Sequence, residues 1–448
     1  MDNTLRDTGS NLSSARPRAC CSNRILNYRF TMADFLAIEF VLLFVVNFLS
    51  NIGRIPSALT YVFDVVNLCI LLANIRLVGA KTKGEWFFNL PVILFAVVAL
   101  ASGLVNLIAP QFVIWQAISF SRIFVWIYLF RIFWDLNYLK SFMGFIYKLQ
   151  FFNVFFVLVQ YYVMGLFQDN IGGLFGVERG CNGILNVYLC IVVTWGLNLY
   201  LAKKGKLIGL IFTVLSSLLI AAVAELKFFF VEFLLIVVLS IMFARFSRKT
   251  VFSIVAIALL ISVALGIFAQ INPLQYKTLV NFDELLTEAD NSNIETGYGI
   301  SRLNAFTQIS EQFFKNDPFT MFIGFGFGSA SQSSIPFFCA PFYYFYGWLN
   351  YYFLTSAMVF IQLGYLGVAL FFAPLILLGA ELLINRGRLA KTNCLGDGGF
   401  AFVLCALFLL NCLYNNTAVT FPSALWSLSA CIGLFTLSSI RGGQAHEQ

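Results

Sequence analysis

The strongest constraint on this chain is a succession of apolar runs, each about as long as a bilayer is thick. They fall at about 35–52, 57–75, 88–108, 111–131, 142–165, 182–202, 207–224, 228–244, 251–271, 348–378, 399–414 and 419–440. A hydrocarbon core of ~30 Å takes ~20 residues of helix to cross, and lipid offers the backbone no hydrogen bonds. Such runs must therefore satisfy their own amides, as helices. The pattern predicts an all-α polytopic membrane protein of about twelve transmembrane helices. Composition agrees: of 448 residues, 60% are hydrophobic, 17% aromatic and only 11% charged, more apolar surface than a soluble domain can hide.

The net charge of +7 does not point to nucleic acid, because the basic residues stand at the ends of the apolar runs. Counted from an inside N-terminus, Arg76, Lys81 and Lys83, Arg131 and Lys140, Lys203, Lys204 and Lys206 all fall on one side. So do Arg245, Arg248 and Lys249, then Arg386, Arg388 and Lys391, and finally Arg441. That is the positive-inside pattern, and it places both termini in the cytoplasm. The expected organisation is a tail at 1–32, helices one to nine over 33–271, a large outer loop at 272–347, helices ten to twelve over 348–440, and a tail at 441–448. The first segment, Met1 to Thr31, lacks the apolar core and cleavage site of a signal peptide. Ten cysteines are scattered without metal-ligand spacing. Cys181 and Cys339 both fall in outer segments, where they either pair or serve as small packing residues.

Within the outer loop, Ile300, Leu303, Phe306, Ile309 and Phe313 recur at helical spacing behind Gly297 and Gly299, and Asp317-Pro318 reads as the stop. This predicts an amphipathic helix with Arg302 in its first turn, where free amide N–H groups and a cation together suit an anion. Gly324, Gly326 and Gly328 follow that helix rather than leading into one, so they read as a close-packed turn and not a phosphate cradle. The string PFFCAPFYYFYGW from Pro336 to Trp348 is either an interfacial aromatic belt or a sugar-stacking surface. Asp283, Glu284, Glu288, Asp290 and Glu295 read as hydrophilic surface.

Charges inside apolar runs cost about 2.5–3.5 kcal/mol each even on a lenient scale, so they mark polar pockets. Arg122 lies mid-way along the fourth run, Asp64 in the second, and Glu39 toward the inner end of the first. The two carboxylates must be protonated or paired with a cation. Lys148 is close enough to a run's end to snorkel. The seventh and eighth runs meet at Ala224-Glu225-Leu226-Lys227 with no polar loop, so this hairpin tip is expected below the outer surface. Glu232, deeper in the eighth run, is a counter-charge for Arg122 or Lys227. Glu178 and Arg179 occupy a glycine-bounded outer loop, GGLFGVERGCNGILN. Arg179, Lys227 and Arg302 are thus three cations placed outside, against the prevailing sidedness. Cations converging over a membrane suit an anionic lipid headgroup, phosphate or pyrophosphate.

At this point the chain resembles the O-antigen polymerase and ligase superfamily, integral-membrane glycosyltransferases that act on polyprenyl-pyrophosphate-linked glycans. GGLFGVERGCNGILNVYL is similar to the family's outer loop, AELKFFFVEFLL to its charged hairpin, and SRLNAFTQISEQFFKNDPFTMFIGFGFG to its arginine helix and glycine turn. LTSAMVFIQLGYLGVALFF is similar to the span after the large loop. The resemblance implies a GT-C-like fold with a lipid-facing cleft under an outer-loop cap. It implies that Arg179, Lys227 and Arg302 bind the lipid pyrophosphate, with Arg122 as a further binding candidate. It also implies a bacterial inner-membrane location, a polyprenyl-pyrophosphate-linked oligosaccharide as substrate and a chain-length regulator as an open partner. Ligase members usually carry a histidine in the large loop; here the one histidine is His446 in the tail, which favours a repeat-unit polymerase.

Glycosyl transfer from a pyrophosphate needs preorganised positive charge on the leaving group and a base for the acceptor hydroxyl. Arg302, Arg179 and Lys227 fit the first task, and Glu225, with Glu178 as alternate, fits the second. No metal and no cofactor is expected. The competing expectations are an O-antigen ligase or other oligosaccharyltransferase and, from a different class, a secondary transporter or flippase built on Asp64, Arg122 and Glu232.

Overall fold

The computed structural model describes residues 30–82, 84–244 and 299–444, with parts of 262–283. The first 29 residues, most of the ninth run, Arg245, Arg248, Lys249, Glu284 to Gly297 and His446 lie outside the described residues. The described helices are α1 (Met32–Asn51), α2 (Thr60–Ala73), α3 (Ile75–Lys81), α4 (Trp86–Val105), α5 (Pro110–Phe133), α6 (Leu136–Leu158), α7 (Cys181–Leu201), α8 (Leu207–Val223) and α9 (Lys227–Met242). They continue with α10 (Pro273–Val280), α11 (Ala305–Gln312), α12 (Pro318–Ile323), α13 (Pro341–Tyr346), α14 (Thr355–Ile384), α15 (Arg386–Lys391), α16 (Leu395–Tyr414) and α17 (Ser423–Gln444). No strand occurs among the described residues. Eight helices are long and apolar enough to cross a membrane, or nine if the α2–α3 pair, bent by 71°, is one span. The chain is a polytopic helical membrane protein.

Local chemistry sets the helix starts. Thr31 and Asp34 form a reciprocal capping box on α1, Asp135 accepts from the Tyr138 amide at 2.7 Å to cap α6, and Pro110 takes the first position of α5. Packing then sorts the helices. The chain of neighbours α4, α14, α16, α17, α5 and α2 runs round the bundle, while α7 packs on α16, α8 and α9. α7 and α17 are the most enclosed spans. By contrast α1 and α4 present Ile38, Leu42, Val45, Ile93, Val97 and Leu100 outward, the apolar face that lipid requires.

The basic ends cluster as charge patterning predicts. Arg131 bonds Glu85 at 2.5 Å, Lys140 bonds Asp397 at 2.6 Å, and Arg441 bonds Glu381 and the Gly84 carbonyl. All lie at the end of the bundle opposite the 166–180 and 299–353 segments. At that loop-bearing end α8 and α9 meet. They have 17 and 16 residues, about 25 Å of helix each at 1.5 Å per residue, which keeps their tip short of a full crossing.

Two elements depart from expectation. The tenth run does not start at 348: residues 347–353 form 3₁₀ turns, and α14 begins at Thr355. α14 is then interrupted at Gly364, whose φ of 60° and ψ of −160° are not helical. The gap is filled by the glycine run of the outer loop. Phe325 N–H donates to the Ile361 carbonyl and Gly326 N–H to the Gln362 carbonyl, each at 2.9 Å, and Gly328 N–H donates to Gln362 Oε1 at 2.7 Å. A Cβ on Gly324 would lie 2.4 Å from the Gln362 backbone, and one on Gly364 would lie 2.4 Å from that of Phe322. The run is therefore the close-packed turn its position predicts, built into a span rather than resting on it.

Candidate functional site

The amphipathic helix forms, shorter than the spacing predicts, as α11. Arg302 lies in the turn ahead of it rather than in its first turn. Asp317-Pro318 does not merely stop a helix; the Asp317 carboxylate accepts from the Thr320 amide at 2.8 Å and starts α12. Ile300 anchors the turn, buried and donating its N–H to the Leu349 carbonyl at 2.9 Å.

This turn carries Arg302 onto the bundle. Its guanidinium carbon stands 4.0 Å from the ring centroid of Tyr414, the last residue of α16. The other face of Tyr414 meets Phe228, with centroids 3.8 Å apart and planes 3° from parallel. Phe228 follows Lys227, the first residue of α9. A cation from the outer loop, an aromatic from α16 and the charged hairpin tip are thus held in one stack. Arg302 Nε is buried and has no hydrogen-bond partner, and no carboxylate bonds the guanidinium among the described residues. A ring face fixes a guanidinium in position without covering its N–H edge, which stays suited to an anionic ligand.

The hairpin tip is tight. Leu226 N–H donates to the Ala221 carbonyl at 2.8 Å, and Glu225 takes a left-handed conformation, φ 52°, uncommon for a residue with a Cβ. Glu225 and Lys227 are both half-buried. Arg179 and Glu178 are exposed on the turn that leads into α7, where Gly180 N–H reaches the Asp169 carbonyl at 3.1 Å. α7 and α9 run in the same direction, and Asn186, one turn into α7, bonds Glu232, one turn into α9. The starts of the two helices therefore lie at the same level. Arg179, Lys227 and Arg302 share the loop-bearing end of the bundle, and Tyr414 links Arg302 to Phe228, the residue after Lys227.

Beneath this end is an arrangement that sequence reading did not anticipate. Glu232 is fully buried and accepts from Asn186 Nδ2 at 2.7 Å, from Cys190 Sγ at 3.3 Å and from Asn411 Nδ2. It balances neither Arg122 nor Lys227. Asn411 passes the network on, its Oδ1 accepting from Asn415 Nδ2 at 2.8 Å, while Asn415 Oδ1 accepts from the Thr417 hydroxyl at 2.7 Å. Glu232 and Asn411 each lie one turn below Phe228 and Tyr414 on the same helices, so the network underpins the stack.

Arg122 stands apart from the trio. Its Nε and Nη2 donate to Asp64 at 2.7 and 2.5 Å, and Nη1 donates to the Val419 carbonyl at 2.6 Å. These bonds commit the guanidinium to a bidentate ion pair inside the bundle. Cys181 and Cys339 do not meet: Cys181 Sγ accepts from Asn51 Nδ2 at 2.9 Å, whereas Cys339 Sγ faces the Ser333 carbonyl at 3.1 Å. The aromatic string divides by face. Phe338 stacks on Trp115 at 4.7 Å and Phe342 packs on Phe313, Phe325 and Tyr351, while Phe337, Tyr344, Phe345 and Trp348 point outward. No family model and no curated protein matches the chain.

Proposed function

We propose that this protein is a polysaccharide polymerase of the bacterial inner membrane. It transfers a glycan from polyprenyl pyrophosphate to the acceptor sugar of another lipid-linked repeat unit at the outer face. The observation that carries this reading is the Arg302–Tyr414–Phe228 stack next to Lys227, at the end of the bundle that also bears Arg179. In the transfer, the bond from the anomeric carbon to phosphate oxygen breaks and one to the acceptor hydroxyl oxygen forms. The electron pair leaves on the pyrophosphate, where the three cations stabilise it without reorganising. Glu225, with Glu178 as alternate, takes the hydroxyl proton. The same reading carries the finer topology: twelve spans in a GT-C-like arrangement, both termini cytoplasmic.

Replacing Arg302 with alanine in cells should abolish polymer and leave lipid-linked single repeats on a gel. Polymer of unchanged length would sink the assignment. Unattached full-length polymer in cells lacking the protein would instead identify a ligase. A second reading, a transporter or flippase, draws support from the bent α2–α3 pair and the break in α14. Against it, the carbonyls released at that break are already taken by Phe325 and Gly326.

A further inference from the structure

Between α1, α2 and α5 lies a second polar centre that the proposed transfer does not use. Glu39 on α1 is 3% exposed, and Asn67 on α2 is 1% exposed. Asn67 lies within hydrogen-bonding reach of the Glu39 carboxyl, yet as the side chains stand neither carboxylate oxygen and neither amide atom has a partner of good geometry among the described residues. Leaving a buried polar group unsatisfied costs about 1–3 kcal/mol. Four such atoms at one point therefore mark a place where something small binds. A recess beside them, lined by Asp64, Asn67, Ser121 and Arg122 among apolar neighbours, opens along α2 and α5.

A count of charge says what the occupant is. On α2 the titratable residues are Tyr61, Asp64 and Cys69; on α5 they are Arg122, Tyr128 and Arg131. Asp64 is neutralised by Arg122, and Arg131 is held at the helix end by Glu85. Tyr61 bonds Ser334, Tyr128 bonds Asn89, and Cys69 is exposed. On α6, which reaches α1 through Phe142, Tyr138 bonds Asp34, Lys140 bonds Asp397, Tyr147 bonds the Gly209 carbonyl, and Lys148 is exposed. The short segments 57–59 and 173–175 that also touch α1 carry no charge. Among the described residues no cation pairs with Glu39, and a lone carboxylate in a low-dielectric layer takes up a proton.

We propose that Glu39 is a proton-binding site within the membrane layer, its acid O–H donating to Asn67 Oδ1, on the edge of the recess that also holds the Asp64–Arg122 pair.

The test uses the full-length protein in nanodiscs. A hydrophobic carbodiimide, which reacts with protonated carboxyl groups, should label Glu39 in acidic buffer and lose that label in alkaline buffer, as read by peptide mass. Sodium should give no protection. Glu39→Gln should remove the label from that peptide at every pH. Absence of label at Glu39 across the titration overturns the proposal. Protection by sodium overturns it too, since the occupant would then be a metal cation, and so does label of unchanged yield on the same peptide in Glu39→Gln. The labelling arm needs no variant, so a poorly folding Glu39→Gln leaves the proposal open to refutation.

Discussion

Tyr414 lies face to face on Phe228, 3.8 Å between centroids and 3° between planes, and the far side of the same ring carries Arg302 at 4.0 Å. Removing the ring should free the guanidinium without removing its charge. A cation–π contact contributes about 0.5–2 kcal/mol, so Tyr414→Leu should lower polymer yield roughly 2- to 30-fold by that measure, whereas Tyr414→Phe should retain most of it. Quantifying polymer against single lipid-linked repeats for the two variants checks this.

The Arg122–Asp64 pair is enclosed, with 6% and 8% of the side chains exposed. Breaking a buried pair from one side strands a charge and typically costs about 3–5 kcal/mol. Arg122→Leu and Asp64→Leu should each lower the thermal midpoint in detergent sharply. The double variant should recover much of the loss, because neither charge is then buried alone. A double variant no more stable than either single one would contradict the pairing.

Gly324 lies against the backbone of Gln362 and Leu363, Gly364 lies against that of Met321 and Phe322, and a Cβ on either would enter space already filled. Both also hold positive φ, 72° and 60°. Alanine at either position should destabilise by at least about 1–3 kcal/mol from the backbone strain alone. The expected readout is a lower thermal midpoint together with faster amide exchange at residues 325 and 326.

Asp317 caps α12, and the Thr320 hydroxyl and amide that bond its carboxylate hold its pKa below the ordinary aspartate value. A group lowered on folding stabilises the folded form above its unfolded pKa, and that contribution fades as pH falls through the lowered value. Exchange protection of residues 319–323 should therefore be constant at neutral pH and decline only below the usual carboxylate range. Asp317→Asn should flatten that decline.

Eight or nine of the twelve expected spans appear among the described residues, because length and hydropathy decide them: α5 and α7 begin at the edge of their apolar runs, while α6 starts earlier, at Leu136. The hairpin tip was legible too, since only Ala224, Glu225 and Leu226 separate α8 from α9. The partners were not. Asp64 and Arg122 are 58 residues apart, and no local pattern announces that one satisfies the other. Tyr414 closes an apolar run like any interfacial tyrosine, and its role appears only when Arg302, more than a hundred residues earlier, is laid on it. Glu232 was visible as a deep carboxylate, but its partners are two asparagines and a thiol rather than the cation that charge counting favours.

The glycine run seated in α14 bears on how the protein is made. Gly324 leaves the ribosome forty residues ahead of Gly364, so for that interval the outer-loop amides of Phe325 and Gly326 have only water as an acceptor. The carbonyls of Ile361 and Gln362, by contrast, belong to a span, where lipid offers them no donor. That span is complete as a membrane segment only once the glycine run has docked on it.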